Sequence, residues 1–482
     1  MPLPTLEAVI PLTGALAIAA SLAPAGARDV APSASVSASY TPLAGRIIGA
    51  ETVEGEAYAL LQHLTDRIGP RLSGSEGAAA AVAWTAERLR SYGLQVRTEK
   101  VLVPHWVRGA EEAEIVAPAP QKMLVTALGG SDPTPAAGVT AEVVESVGLE
   151  GLAALGVAGV RGKIVLFNGP MTTRGMEGYG PAVVQRTRGA VEAARLGAVA
   201  AMVRSVGTLS ARLVHTGAMT YDDHVPRIPA AAVTAEDADL MHRLLASGQT
   251  VRVRLRLGCR TLPDVESANV VADLPGRERP EEIVLVGAHL DSWDLGTGAV
   301  DDGAGVVMVM ETLRLLKALG LVPRRTVRGV LYMNEENGLR GARAYAEAHA
   351  AELPRHVAAL ESDSGAGQPT GWSATVGAGG LEALHDVARL LAPLGADAVA
   401  AGGGGADIEP LHAAGVPLLG LRLDATRYFD WHHSPADTLD KVDALALASG
   451  AAALAVAAYV LADMPQPLPR PSPPRPSPSP RP

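Results

Sequence analysis

Cysteine is nearly absent from these 482 residues: Cys259 stands alone, which excludes an intramolecular disulfide framework and any cysteine-rich zinc module. Aromatic residues make up only 3%, with two phenylalanines, too few for a base-stacking platform. Positive charge is in the minority, with 41 Lys and Arg against 51 Asp and Glu. The net charge of −10 argues against a nucleic-acid-binding face, so no nucleic-acid partner is expected. Asn168, Asn269, Asn334 and Asn337 all fail to open an Asn-X-Ser/Thr sequon, so N-glycosylation is not expected. Beyond the first thirty residues no run reads as long and apolar enough to cross a bilayer, and no membrane span is expected.

What is present suits a large folded chain. Apolar residues reach 48% and charged residues 19%, and at about 150 residues per domain the length fits two to three domains. Val9 to Ala23 is small and apolar and Ala25-Gly26-Ala27 offers a cleavage site, so residues 1–27 read as a signal peptide of an exported, secreted or periplasmic protein. Residues 28–50 read as a Ser/Ala-rich linker, and 465–482 as an extended, disordered proline-rich tail. An amphipathic pattern from Val53 to Ile68 stops at Gly69-Pro70, and a second helix ends at Gly93. From 117 to 262 strand-like runs such as GKIVLFN and VRVRLRL alternate with turns, which predicts a β-rich domain inserted between 51–116 and 263–464. After Asp264 the rhythm becomes strand–helix–strand, as in an α/β fold with a mixed, mostly parallel sheet flanked by helices.

In such sheets ligands gather at the carboxyl ends of strands. Successive segments end there in His289 and Asp291, Asp301 and Asp302, Glu335 and Glu336, Glu361 and Asp363, then His432, His433 and Asp437. Any one carboxylate at such a place is ordinarily a helix cap or a solvated loop residue. Five consecutive segments delivering N and O ligands to one sheet edge point instead to a metal centre. Imidazoles and carboxylates without thiolates suit catalytic zinc, and their number fits two ions sharing a bridging carboxylate. Asp291 cannot point the same way as His289 and is placed to orient its imidazole. Glu335 and Glu336 diverge, so one can bind metal while the other serves as general base. The AGGGGAD run at Ala401–Asp407 lacks the ending of a phosphate loop and reads as a pocket wall. No G-x-S-x-G elbow is present. Cys259 reads as structural; His215 and His224 read as ordinary core or surface histidines, either of which could reach over the site.

At these residues the sequence resembles the M28 family of co-catalytic zinc peptidases. The likeness runs over about residues 52–464 and is carried by IGPRLSGSEGA, VPHWVRGAEEAE, HTGAMTYDDHVPRIPAA, GAHLDSWDLGTGAVDDGAG, NEENG, ESDSG and HHSPADT. It implies a discontinuous zinc exopeptidase domain with a protease-associated-type insert at 117–262. It also implies two Zn2+ per subunit: His289 and Asp363 on one ion, Glu336 and His433 on the other, Asp301 bridging and Glu335 as general base. His432 and Asp437 would support the ligands from behind. The family's A-E-E-Q-G is here Asn334-Glu335-Glu336-Asn337-Gly338, which keeps both carboxylates. By the same resemblance the substrates are dipeptides or short peptides, cleaved in carboxypeptidase or dipeptidase fashion by metal-activated water, and the protein is a homodimer. A lysosome-like compartment follows only by family analogy. The alternatives are an M28 aminopeptidase and, of another class, a glutaminyl-cyclase-like acyltransferase. A non-catalytic binding role is disfavoured because every ligand position is filled.

Overall fold

The computed structural model describes residues 35–473. The signal peptide expected at 1–27 and the last nine residues of the proline-rich tail lie outside the described residues.

Apolar runs without alternation become strands buried on both faces. Arg279–His289 is covered from Ile283 onward and Arg325–Tyr332 is buried along its whole length, as expected for strands with helices on either side. They belong to an eight-stranded sheet in the order Gln95–Val107, Arg260–Leu274, Arg325–Tyr332, Arg279–His289, His356–Glu361, Leu418–Leu423, Pro369–Thr375, Ala398–Ala401. The four central strands are mutually parallel, Gln95–Val107 and Arg260–Leu274 pair antiparallel with their neighbours, and Pro369–Thr375 pairs antiparallel with Leu418–Leu423 but parallel with Ala398–Ala401. The expected mixed, mostly parallel α/β sheet is what the chain builds. His289 pairs in register with Tyr332, and Gly287 with Glu361, so three strand ends come out side by side.

Helices Ala304–Ala318 and Ala444–Asp463 pack on each other and on the strand Arg279–His289. Ala444–Asp463 corrects one expectation: with 20 residues and a mean hydropathy of 2.1 it is long and apolar enough to cross a membrane. Its apolar window is 78% buried within the protein, and small Ala and Gly side chains let neighbouring helices approach on every side.

The linker expected at 28–50 is also corrected. Val36–Glu54 is a helix that buries Ala44 and Ile47, with the Tyr40 hydroxyl donating to Asp463 at 2.9 Å. Alanine-rich composition, which reads as linker, is equally the composition of a good helix former. The tail expectation fails over its first residues for a different reason. Leu468 is buried, and the Arg470 guanidinium donates to the carbonyls of Leu353, Pro354, His356 and Ala414. An extended proline segment has no ladder of its own, but here packing and borrowed carbonyls fix it.

Residues 111–257 form a second eight-stranded sheet. Its first strand is Glu111–Ala117, so the composition change at 117 marks that strand's end. The chain enters and leaves at Gly109 and Gly258, where a Cβ on Gly109 (φ +111) would sit 2.3 Å from the Gly258 carbonyl oxygen; only glycine allows the two passes to touch. VRVRLRL alternates as expected, with Val253, Leu255 and Leu257 buried and Arg254 and Arg256 paired to Glu114 and Glu112. The block also carries three helices, Gly148–Val160, Met176–Arg195 and Ala235–Ala246, among the expected strands. One of its cores also takes in Leu72, Trp106 and Trp293 from outside the block.

Candidate active site

The sheet edge where His289 ends its strand gathers the expected ligand residues. The His289 ring points Nε2 at Asp301 Oδ1 (3.2 Å) and Asp363 Oδ1 (3.5 Å). His433, arriving from a loop far along the chain, points Nε2 at Asp301 Oδ2 (3.2 Å) and Glu336 Oε2 (3.0 Å). The Asp301 carboxylate therefore lies between two imidazoles, one oxygen toward each. His289, Asp301, Glu336 and His433 are buried, and Asp363 is half-buried. Ligand atoms of His289, Asp301 and Glu336, of His289, Asp302 and Asp363, and of Asp301, His432 and His433 lie within 4.8 Å of one another in each set. His433 (φ 58) and Asn334 (φ 75) adopt left-handed backbone, which costs a non-glycine residue on the order of 1 kcal/mol and is concentrated at functional sites.

Surrounding groups fix these side chains. Asp437 accepts from the backbone N–H of Val300 (2.6 Å) and of Asp301 (3.1 Å), and so holds the loop that presents Asp301. Asp291 works differently from expectation. Its main-chain carbonyl, 3.0 Å from His289 Nδ1, orients the imidazole. Its carboxylate turns to the next strand end and accepts from the N–H groups of Asn334 (2.7 Å) and Glu335 (3.0 Å). His432 stacks on His433 with ring centroids 3.5 Å apart, its Nε2 3.7 Å from Asp301 Oδ2. It thus stands nearer the cluster than a purely supporting role requires.

Electrostatics explain why this arrangement wants a cation. Burial pushes the Glu336 carboxyl up to about 7, aided by the Asp301 charge, and burial with Asp363, Glu336 and Asp291 raises Glu335 well above the usual range. Burial lowers a histidine, yet Glu336 and Asp301 outweigh it at His433 and hold that imidazolium up to about 9. His289 is raised in the same way, by Asp301 and Asp363. Protons here stand in for positive charge that a metal would supply. Glu336 Oε1 is buried without a hydrogen-bond partner, and Asp301 Oδ2 has His433 Nε2 at 3.2 Å without a hydrogen bond of good angle. Unsatisfied carboxylate oxygens beside imidazoles, with no thiolate near, fit zinc.

The structure gives the remaining residues their places. Asp302, read from the sequence with Asp301 as a candidate ligand but given no role, accepts from the N–H of His289 (3.2 Å) and of Gly305 (3.1 Å). Glu361 does not join the cluster: it turns to the glycine-rich run and accepts from Ile408 N (2.9 Å) and Asp407 N (3.3 Å). Arg71, fully buried under the site, donates to the carbonyls of Leu290, Thr297, Gly298 and Gly69; its only sequence signal is its place in IGPRLSG. His215 does reach the site from the second sheet's block, with Nδ1 2.7 Å from the His432 carbonyl oxygen, whereas His224 is exposed in a turn. Cys259 is buried, as a structural residue would be. A cleft of about 470 Å3, lined by Val300, Gly365, Tyr428, Trp431 and Arg427, adjoins the loop that carries Asp301.

Comparison with known proteins agrees with this geometry. The family described as Peptidase family M28 matches residues 269–467. Carboxypeptidase Q of Mus musculus is 42% identical over 391 residues, covering 81% of this chain and 82% of that protein. The crystal structure of a peptidase M28 precursor from Shewanella amazonensis superposes with a TM-score of 0.87 at 41% identity, covering 91% of this chain and all of the other. A zinc aminopeptidase from Bacillus subtilis shares the fold, with a TM-score of 0.63 at 22% identity over 85% of this chain and 95% of its own. With a relative above 40% identity matched over four-fifths of both chains, the chain belongs to peptidase family M28 and is a metallo-exopeptidase.

Proposed function

We propose that the chain is a dinuclear zinc exopeptidase that hydrolyses dipeptides or short peptides, of the carboxypeptidase or dipeptidase kind. The observation that carries this is the Asp301 carboxylate between His289 and His433, each imidazole within 3.5 Å of one further carboxylate, Asp363 or Glu336. His289 and Asp363 would hold one zinc, Glu336 and His433 the other, and Asp301 both. Bound there, the ions supply Lewis acidity toward a carbonyl oxygen and lower the pKa of a water. Glu335 stands beside the ligands with its carboxyl raised well above the usual range by burial and by the Asp363, Glu336 and Asp291 carboxylates, so that it holds a proton more readily than an ordinary carboxylate, as suits a group that must take a proton and give it back. Its carboxylate removes a proton from the attacking water and delivers it to the leaving amine. Asp291 fixes the start of that glutamate pair through the Glu335 N–H, and Asp437 fixes Asp301.

The carboxypeptidase reading is supported by the name of the 42% identical mouse relative. The block at 111–257 is assigned as the protease-associated-type insert, and export and homodimer formation rest on the family resemblance.

Incubating zinc-loaded protein with dipeptides and their N- or C-blocked analogues tests the reading. Free amino acids should appear from unblocked dipeptides, with two zinc ions per chain by elemental analysis. Cleavage of C-blocked but not N-blocked substrates would make it an aminopeptidase, and pyroglutamate formation with one zinc would make it a cyclase. Glu335→Gln should fold and keep zinc while activity falls by about 10²–10⁴-fold, the contribution of a general base; substantial retained turnover would exclude Glu335 from that role.

A further inference from the structure

The helix Met176–Arg195 of the second block brings a buried arginine to the catalytic cluster. Arg186 is 5% exposed. Its Nη2 donates to the Tyr179 hydroxyl (2.8 Å), its Nη1 to the Thr216 carbonyl (3.3 Å), and Nη1 lies 3.5 Å from His433 Nδ1. Its Nε has no partner, and among the described residues no carboxylate lies within ion-pair distance. Other buried arginines are satisfied: Arg325 by Glu282, Arg328 by Asp273, and Arg71 by four carbonyls. The slot for the guanidinium is built, since a Cβ on Gly217 would stand 2.3 Å from Arg186 Cζ. Tyr179, half-buried, sets its ring edge-on at 5.2 Å to His432, the histidine stacked on His433.

A desolvated guanidinium with an idle N–H lacks the anion that such a group requires. Substrate can bring one. The only charged group common to every peptide that is an anion is its terminal carboxylate, whose shape matches the guanidinium fork. Resting on the peptidase reading above, we infer that Arg186, with the Tyr179 hydroxyl, receives the free α-carboxylate of the substrate and so makes the C-terminus the end that is read. The carboxyl carbon of the residue after the scissile bond lies within roughly 4 Å of the scissile carbonyl carbon, and Arg186 approaches the same histidine that faces the cluster, with Nη1 3.5 Å from His433 Nδ1 on the side of the ring away from Nε2. Arg186 is thus a specificity-determining residue contributed by the second sheet's block.

The test compares a dipeptide with its C-terminal amide on zinc-loaded wild type, Arg186→Met, Arg186→Lys and Tyr179→Phe. Wild type should prefer the free acid at least tenfold in kcat/KM. Arg186→Met should raise KM for the acid tenfold or more while the amide changes less than twofold and zinc content stays at the wild-type value. Arg186→Lys should recover part of the preference, and Tyr179→Phe should lower it a few-fold. Equal loss on both substrates, loss of zinc, or transfer of the preference to the exposed cleft residue Arg427 on Arg427→Met would each overturn the assignment. Should wild type cleave no peptide, the peptidase reading fails by itself. The carboxylate site is then judged by thermal-shift titration of an N-acetyl amino acid against its amide: stabilisation by the acid alone, lost in Arg186→Met, upholds it, and no difference refutes it.

Discussion

Asp301 shows how much can hang on one side chain. Its two oxygens face different imidazoles at 3.2 Å, so Asp301→Ala removes a ligand from both halves of the cluster and leaves His289 and His433 without their common counter-charge. Zinc content of the purified variant should fall from the two ions proposed to one or none, with circular dichroism unchanged; two ions retained would contradict the proposed bridging role. His289, Glu336 and Asp363 are legible in the sequence because they stand at or just past strand ends, and strand ends in a parallel sheet share an edge; Asp301 and His433 come from loops that return to that edge. Which atom does what is not legible. Asp291 orients His289 with a carbonyl and spends its carboxylate on Asn334 and Glu335, a choice set by the angle between neighbouring strand ends, which no spacing encodes. His432 and His433 are likewise adjacent letters until the left-handed backbone at His433 stacks their rings.

Among the elements, the helix Val36–Glu54 carries a feature with a clear pH consequence. Glu51 is buried against Glu311 of the helix Ala304–Ala318, and burial, the hydrogen bond with Glu311 and the Glu311 charge raise its carboxyl to about 10, despite Arg314. A folded-state pKa above the unfolded value of 4.5 means that the folded form keeps a proton the unfolded chain releases. The stabilisation is complete below about pH 4.5 and is lost progressively as pH rises toward the folded value. Glu51→Gln should therefore match the parent in melts near pH 4.5 and exceed it near pH 8, by on the order of 2 kcal/mol. A variant less stable than the parent at pH 8 would show that the Glu51 charge is accommodated. This helix was illegible for a plain reason: apart from Ala44 and Ile47 it buries little that is apolar, so its sequence lacks an amphipathic stripe. Ala444–Asp463 hid for the opposite reason, being apolar all round as a helix enclosed by protein must be. The central strands Arg279–His289, Arg325–Tyr332 and His356–Glu361 are legible because buried apolar runs mark them, whereas Pro369–Thr375, Ala398–Ala401 and Leu418–Leu423 give no comparable signal in the sequence reading.

At the scale of the whole molecule, the site is assembled from both sheets. The Thr216 N–H donates to the His433 carbonyl (2.8 Å), His215 bonds the His432 carbonyl (2.7 Å), and the Thr208 N–H donates to the Phe429 carbonyl (3.1 Å). Pairings across more than two hundred residues of sequence leave no local pattern, which is why the second block's part in the site was visible only as His215's capacity to reach over it. The same long-range assembly makes the cation a structural link. Segments ending at His289, Asp301, Glu336, Asp363 and His433 converge on one buried cluster, and in its absence the raised carboxyls and imidazoliums hold protons in place of metal. Because the unfolded chain cannot offer these donors together, metal binds the folded form preferentially and stabilises it by mass action, about 4 kcal/mol at a thousand times its dissociation constant. Chelator-treated protein should melt several degrees below the zinc-loaded form, and stoichiometric zinc should restore the melt. Asp301→Ala should narrow that gap, since both of the proposed ions would then lack the carboxylate placed between His289 and His433. Identical melts with and without zinc in the wild type would mean that the convergence of these five segments is maintained by packing alone.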